Sequence, residues 1–444
     1  MAQKSLFDFT KKPKEKIKKE SKTNTSLDIV SDAVQKTEKY KREKDQIIFP
    51  PIAPSVLSPS YFVSAGYSGP EKKAIIKLYE PESETIYFWL DNTNHKPYCL
   101  TNLSTKELEK IPRLINHQGL DHFEIIQKFD PLSDKNINVT KIVTNDPLAI
   151  GGRTTGSIRD IIPEDFPKYA NQPIKPEDIK VWEAKIRYYQ SYIYDRNLFP
   201  GMIYKIKDNN LIPVNLEDSE KAIDHIKEKF KDATPQEVEY IEKWARLLEY
   251  PAPKFKRAAI DIEVLSPIST RIPDPRKAAN PVICVSVYSS DKQKKVLILK
   301  RQGVRFGNEK LPANTEIEYF QEEKNLLVAV FKFLWEYPFI ITYNGDDFDL
   351  RYLANRANNL GISREEIPIV VRQRVCLLKY GVHIDLYRFF FNRSIKIYAF
   401  KNRYKNVSLD DVGKAIIGIE KIPLEKKFSD LTYSELANYC IRDS

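Results

Sequence analysis

In the segment Lys256-Arg-Ala-Ala-Ile-Asp261-Ile-Glu263-Val264, two carboxylates stand one residue apart at the end of an apolar run. Read as a strand, the i, i+2 spacing sets Asp261 and Glu263 on the same face. Like charges about 4 Å apart repel by roughly 4 kcal/mol at an effective dielectric of about 20. Such a pair faces water, shares a proton or holds a cation. A second acidic cluster, Tyr343-Asn344-Gly345-Asp346-Asp347-Phe348-Asp349, follows an apolar strand where it gives way to a helix. Asp349 alone reads as a first-turn acid favoured by the helix dipole, and Asp346 and Asp347 as loop charges. A third cluster, Tyr439-Cys-Ile-Arg-Asp443, sets a phenol and a carboxylate four apart on one helix face. Their order (strand end, strand-to-helix junction, late helix) separates these three from scattered acids.

The elements that must position them alternate between strand and helix. Strands are expected at 257–264, Val282 to Val287, Lys295 to Leu299, Phe339 to Tyr343 and His383 to Tyr387. Helices are expected from Glu322 to Trp335, from about Asp349 to Leu360, from Ser408 to Ile417 with Gly418 closing it, and from Tyr433 to Asp443. This is an α/β pattern, α+β over the whole chain, with a sheet of mixed direction across 251–444. Residues 46–250 form a β-rich domain before it. Tyr61 to Val63, Ala74 to Tyr79, Thr85 to Trp89 and Tyr98 to Leu100 predict an antiparallel meander. Gly151, Gly152 and four prolines make 151–180 an irregular surface insertion. The tyrosines of an aromatic helix from Ile186 to Tyr194 belong to the core rather than to base stacking. Thr234-Pro-Gln-Glu237 is a capping box opening a helix with Val238, Ile241, Ala245 and Leu248 on its apolar face. Pro251 and Pro253 stop that helix and mark the domain boundary.

The 444 residues suffice for two or three domains, and the net charge of +10 favours a polyanionic partner. Residues 1–45 are dense in Lys and Glu and poor in apolar residues, a basic tail expected to be disordered. One island within it, Gln3, Leu6 and Phe9, suits a hydrophobic pocket on another protein. No stretch approaches the roughly 18 apolar residues of a membrane span, and the first residues lack the features of a secretory signal. The four cysteines lie far apart without zinc spacing, as in an intracellular, cytoplasmic protein. Abundant Lys, Glu and Ile with two Met fits a thermophile.

The runs Ala259-Ile-Asp-Ile-Glu263, Tyr343 to Asp349 and Tyr439 to Asp443 resemble the three exonuclease motifs of family B DNA polymerases, most closely the archaeal replicative enzymes of the Sulfolobus group. The likeness extends over most of 57–444, through Asn94-His-Lys-Pro-Tyr98, Asn197-Leu-Phe-Pro-Gly201, His383-Ile-Asp-Leu386 and Ser408-Leu-Asp-Asp411. It implies an N-terminal domain followed by a ribonuclease-H-like 3′–5′ proofreading domain. By the family pattern Asp261, Glu263, Asp349 and Asp443 are metal ligands and Tyr439 orients the attacking water. Asn344 and Phe348 lie near the primer end. Hard carboxylate oxygens suit two Mg²⁺ or Mn²⁺ ions. Lys256 and Arg257 read equally as phosphate contacts and as surface charges. Pro97-Tyr98 sits where archaeal relatives sense uracil in template DNA, so Tyr98 is assigned to the template strand. Gln3, Leu6 and Phe9 resemble a sliding-clamp peptide, with Thr10 standing where a second aromatic is usual. The expected partners are primer–template and single-stranded DNA, a sliding clamp, and a polymerase half on a separate chain. The palm motifs Ser-Leu-Tyr-Pro-Ser and Asp-Thr-Asp-Ser do not occur in the sequence, so it is not expected to polymerise DNA alone. The rival expectations are a non-catalytic DNA-binding assembly subunit and a free-standing exonuclease. The last helix is expected to fray at Asp443.

Overall fold

A computed structural model describes residues 52–152, 156–214, 219–245, 252–266, 272–423 and 426–444. The tail and the Gln3, Leu6 and Phe9 island lie outside the described residues, as does Leu248.

Two sheets precede residue 250. β1 (Leu57–Ser68), β2 (Lys73–Glu80) and β3 (Thr85–Leu90) are antiparallel neighbours. β4 (Tyr98–Thr101) leaves that meander. It enters a second sheet, flanked by β6 (Lys135–Thr144), itself in a hairpin with β5 (Leu120–Asp130), and by the short β7 (Val181–Trp182). The reason is burial: all four β4 residues are covered, and its partner Val143 lies far along the chain. The expected insertion at 151–180 instead contains helix α1 (Ile158–Tyr169). Ile158, Ile161, Ile162 and Phe166 recur at helical spacing and are buried, which outweighs Pro163 and Pro167 inside the helix. In α2 (Tyr188–Asp195), Tyr188 and Tyr192 are core residues. β8 (Ile203–Lys207) and β9 (Asn210–Pro213) complete the first sheet. The Thr234 box caps α3 (Pro235–Trp244) as expected, its hydroxyl oxygen accepting from the Glu237 N–H.

The second half is built on a six-stranded sheet. Its strands are β10 (Arg257–Val264), β11 (Val282–Ser289), β12 (Lys294–Leu299), β13 (Thr315–Phe320), β14 (Phe339–Thr342) and, past the small hairpin of β15 (Ile369–Val371) and β16 (Cys376–Leu378), β17 (Val382–Asp385). The order is β13-β12-β11-β10-β14-β17. β11 runs antiparallel to both neighbours, whereas β10, β14 and β17 are parallel. Helices α4 (Glu323–Glu336) and α5 (Asp349–Asn359) share one core with the buried side of β10. Here β17 stops at Asp385, two residues before the expected end. The Asp385 carboxylate accepts from the Tyr387 N–H and caps α6 (Leu386–Phe391). Ser408 caps α7 (Leu409–Ile417), which ends on Gly418 at φ 70°, a left-handed turn that glycine adopts without strain. The final helix, α8 (Tyr433–Asp443), packs on the opposite sheet face through Leu436, Ala437 and Cys440 against Ile283, Val296 and Ile298.

The first sheet abuts the six-stranded sheet at the starts of β14 and β17. Phe255 stands 5.4 Å from Tyr79 and 4.4 Å from Phe339, ring centre to ring centre. Lys77 Nζ on β2 donates to the carbonyls of Leu378 and Gly381 at 3.0 and 2.7 Å.

Candidate active site

β10 sends its two faces into different layers. Ala258, Ile260, Ile262 and Val264 are buried with α4 and α5, which turns Asp261 and Glu263 towards α8. There, Cys440 Sγ lies 3.9 Å from Asp261 Oδ2, and donor atoms of Asp261, Glu263 and Cys440 fall within 4.8 Å of one another. α8 starts from a capping box of Thr432 and Glu435. Ser286 Oγ on β11 donates to the Cys440 carbonyl at 2.8 Å, pinning the last turn to the sheet. At the end expected to fray, α8 continues to Asp443, whose side chain is only 4% exposed and pairs with Lys421. Arg442 Nε donates to the Glu420 carbonyl at 3.2 Å in the same latch.

Asp349 arrives from the opposite side. It opens α5, is buried, and accepts the Ile262 N–H at 3.3 Å. The loop before it depends on Asp385, which accepts from the N–H groups of Asn344 at 2.7 Å and Asp346 at 3.1 Å. Asn344 holds φ 68°, a left-handed conformation that asparagine tolerates better than most residues. Asp346 is buried and accepts from the Cys376 N–H at 2.6 Å, while Asp347 pairs with Arg388 at 3.1 Å.

Burial and neighbouring charge act on three of these carboxylates. Burial, then the charges of Asp349, Glu263 and Asp443, raises the Asp261 carboxyl well above the usual range, with Lys421 opposing. Glu263 is pushed up to about 8 by burial and by Asp443 and Asp349, again against Lys421. Asp349 is pushed up to about 7, mainly by burial. Burial and the Glu263 charge push the Tyr439 phenol up to about 12. Such crowding of acids is costly unless positive charge compensates it. Lys421 supplies part of that charge. It sits between Gly418 and α8, its N–H donating to Asp410 at 2.7 Å, and no spacing in the sequence singles it out. Asp385 was also hidden, because its role depends on pairing between β14 and β17.

Of the other expected contacts, Lys256, Arg257 and Tyr98 lie elsewhere, while Phe348 adjoins Asp349. Lys256 and Arg257 stand at the opposite end of β10, about 16 and about 13 Å from Asp261 at the usual rise per strand residue. Lys256 Nζ lies over the Tyr337 ring at 5.7 Å, and Arg257 donates to the Phe255 carbonyl. Tyr98 is buried in the first half, its hydroxyl donating to Asp195 at 3.1 Å. Phe348, half-buried, packs 5.6 Å from the Tyr352 ring at the start of α5.

The family model described as "DNA polymerase family B, exonuclease domain" matches residues 179–405. The chain belongs to this family. Within family B it is 36% identical, over its full length, to "DNA polymerase 1" of Sulfolobus acidocaldarius, covering 47% of that protein. It is 39% identical over 86% of its length to "DNA polymerase 1" of Saccharolobus solfataricus, covering 41% of that protein. The chain thus spans about half the length of the curated relatives it matches. The family B DNA polymerase of Pyrobaculum calidifontis shares the fold at a TM-score of 0.53 and 16% identity, over 87% of this chain and 45% of that one. The mixed sheet with helices on both faces is accordingly the ribonuclease-H-like architecture of a family B exonuclease domain. Exonuclease domains of family B generally use divalent metals. The donor set fits them: buried, mutually repelling carboxylates offer hard oxygen ligands, and only the Cys440 thiol is soft.

Proposed function

We propose that this chain is the proofreading portion of a DNA-directed DNA polymerase, hydrolysing the terminal phosphodiester at the 3′ end of DNA. The observation that carries the reading is that Asp261 and Glu263 on β10 bring carboxylate oxygens within 4.8 Å of one another against α8, with Asp349 of α5 held to the Ile262 N–H between them and Asp443 of α8 paired with Lys421. The four carboxylates would hold two Mg²⁺ or Mn²⁺ ions. When bound, such ions lower the pKa of an attacking water and stabilise the leaving 3′-oxygen. Tyr439 keeps its proton far above neutral pH, so it orients the water by hydrogen bonding and does not act as a base. Lys421 holds Asp443 and offsets the negative field around it. Asn344 and Phe348, on the loop into α5, receive the terminal nucleotide. Gln3, Leu6 and Phe9 dock on a sliding clamp, and polymerisation resides in sequence outside this chain.

The test is digestion of a 5′-labelled primer–template with a 3′ mismatch. A ladder from the 3′ end that needs Mg²⁺, stops with EDTA and is lost in Asp261→Ala/Glu263→Ala supports the reading. Undiminished degradation by that double variant overturns it.

A further inference from the structure

Residues 386–409, from the end of β17 to the start of α7, carry six cations, seven aromatic residues and no acid. The segment is built around Tyr404, which is 2% exposed. Its ring lies 5.9 Å from Phe390 and 6.1 Å from Phe400, and its hydroxyl donates to the Phe390 carbonyl at 2.8 Å. Around this anchor, Phe389, Phe391 and Tyr398 remain 45%, 63% and 83% exposed. Tyr398 sits in a π-helical turn, Ile395–Ala399, an uncommon conformation found frequently at functional sites. Arg393, Lys401, Arg403 and Lys405 are exposed among these rings.

Flat rings open to water beside positive charge suit one class of ligand, a single-stranded polyanion with stackable bases. A membrane face calls for one amphipathic helix with a continuous apolar side, whereas the exposed rings here are split between α6 and a separate turn. Position supports the same ligand. The Tyr343 ring packs 6.0 Å from Tyr387 and 6.4 Å from Phe390, and Tyr343 directly precedes Asn344. β10, β14 and β17 are successive parallel neighbours, so their carboxyl ends open on one edge of the sheet. At the usual strand spacing, the start of α6 lies roughly 10 Å across the sheet from β10. One strand can therefore reach both the rings and the acids.

We propose that 386–405 is a binding site for the single-stranded stretch of nucleic acid behind a 3′ end lodged at Asp261, Glu263, Asp349 and Asp443. The direction of the strand rests on the exonuclease reading, whereas binding of single-stranded nucleic acid at this surface does not.

The test measures fluorescence anisotropy of labelled dT3 and dT12 with the full chain in EDTA, where hydrolysis is blocked. The unmodified chain should bind dT12 at least about tenfold tighter than dT3, and Phe391→Ala/Tyr398→Ala should close most of that gap, as loss of base stacking requires. Arg393→Gln/Arg403→Gln should lower the salt slope of dT12 binding by about 1.4, near 0.7 per phosphate contact. Circular dichroism and Tm confirm that both variants fold. A dT12 affinity and salt slope unchanged in both variants overturns the site. So does equal competition by polyglutamate, which would mark a docking surface for an acidic protein. If dT12 binds as expected but Mg²⁺ does not shorten it, the exonuclease reading fails and this site stands.

Discussion

The Ile262 N–H donates to Asp349 Oδ1 at 3.3 Å, joining the middle of the acidic strand to the first turn of a helix 87 residues later. This one bond explains how an acid from the α4–α5 layer meets two acids that face α8. Ile262 points its side chain into one core, while its backbone holds a carboxylate at the strand's open end.

Asp349→Asn keeps an oxygen to accept that bond and removes one repelling charge. Metal-free Tm is expected to hold or rise, while Mg²⁺-dependent hydrolysis falls on the order of 10²-fold or more, the scale for losing a preorganised charge. Paired melting and single-turnover assays would show the split. A parallel loss of both would mean Asp349 is merely structural.

Stability without metal should fall as pH rises. Glu263 and Asp349 have folded values raised to about 8 and about 7, from ordinary values of 4.5 and 3.8. The folded state therefore holds protons more tightly than the unfolded chain. The stability this lends is complete below about pH 4 and lost as pH passes through about 7 to 8. Melting in EDTA from pH 4 to 8, below the window in which Lys77 adds stability, should show the decline, and Mg²⁺ should flatten it. A rise in Tm across that range without metal would contradict the carboxylate cluster.

Lys421→Met removes the cation that opposes the raised values of Asp261 and Glu263. Metal-free Tm at pH 8 should drop more than at pH 5, where fewer of these acids are charged. Hydrolysis should fall as well, with partial recovery in Lys421→Arg. Equal Tm loss at both pH values would mean that Lys421 acts through packing alone.

Lys77 joins the two halves through the carbonyls of Leu378 and Gly381, and burial lowers its ammonium from 10.5 to about 8. Lys77→Met strands both acceptors and should cost about 1–3 kcal/mol. In the native chain the unfolded state binds more protons between about pH 8 and 10.5, so stability gains across that window. Denaturant melts should show this gain in the native chain and not in Lys77→Met.

Local pattern was enough for much of this protein. Alternation in 257–264 set Asp261 and Glu263 on one face, and the Thr234 and Ser408 caps marked helix starts, because strand period and capping chemistry act over a few residues. The three acidic clusters, read in order, pointed to the family that the comparisons assign. Proline and glycine density misled at 151–180, where the buried face of α1 decided the conformation. Local pattern likewise grouped β4 with strands that it does not pair with, since pairing to β6 depends on which faces are covered. Lys421, Asp385 and the aromatic surface at 386–405 could not be read as a site from spacing. Each acquires its role from residues brought alongside by the β10-β14-β17 order and the docking of α8. The sequence by itself determined which carboxylates exist and which local faces carry them. Only the tertiary structure decided which cation compensates them and what surface leads to them, because Coulombic interaction and desolvation depend on separation in space, not along the chain.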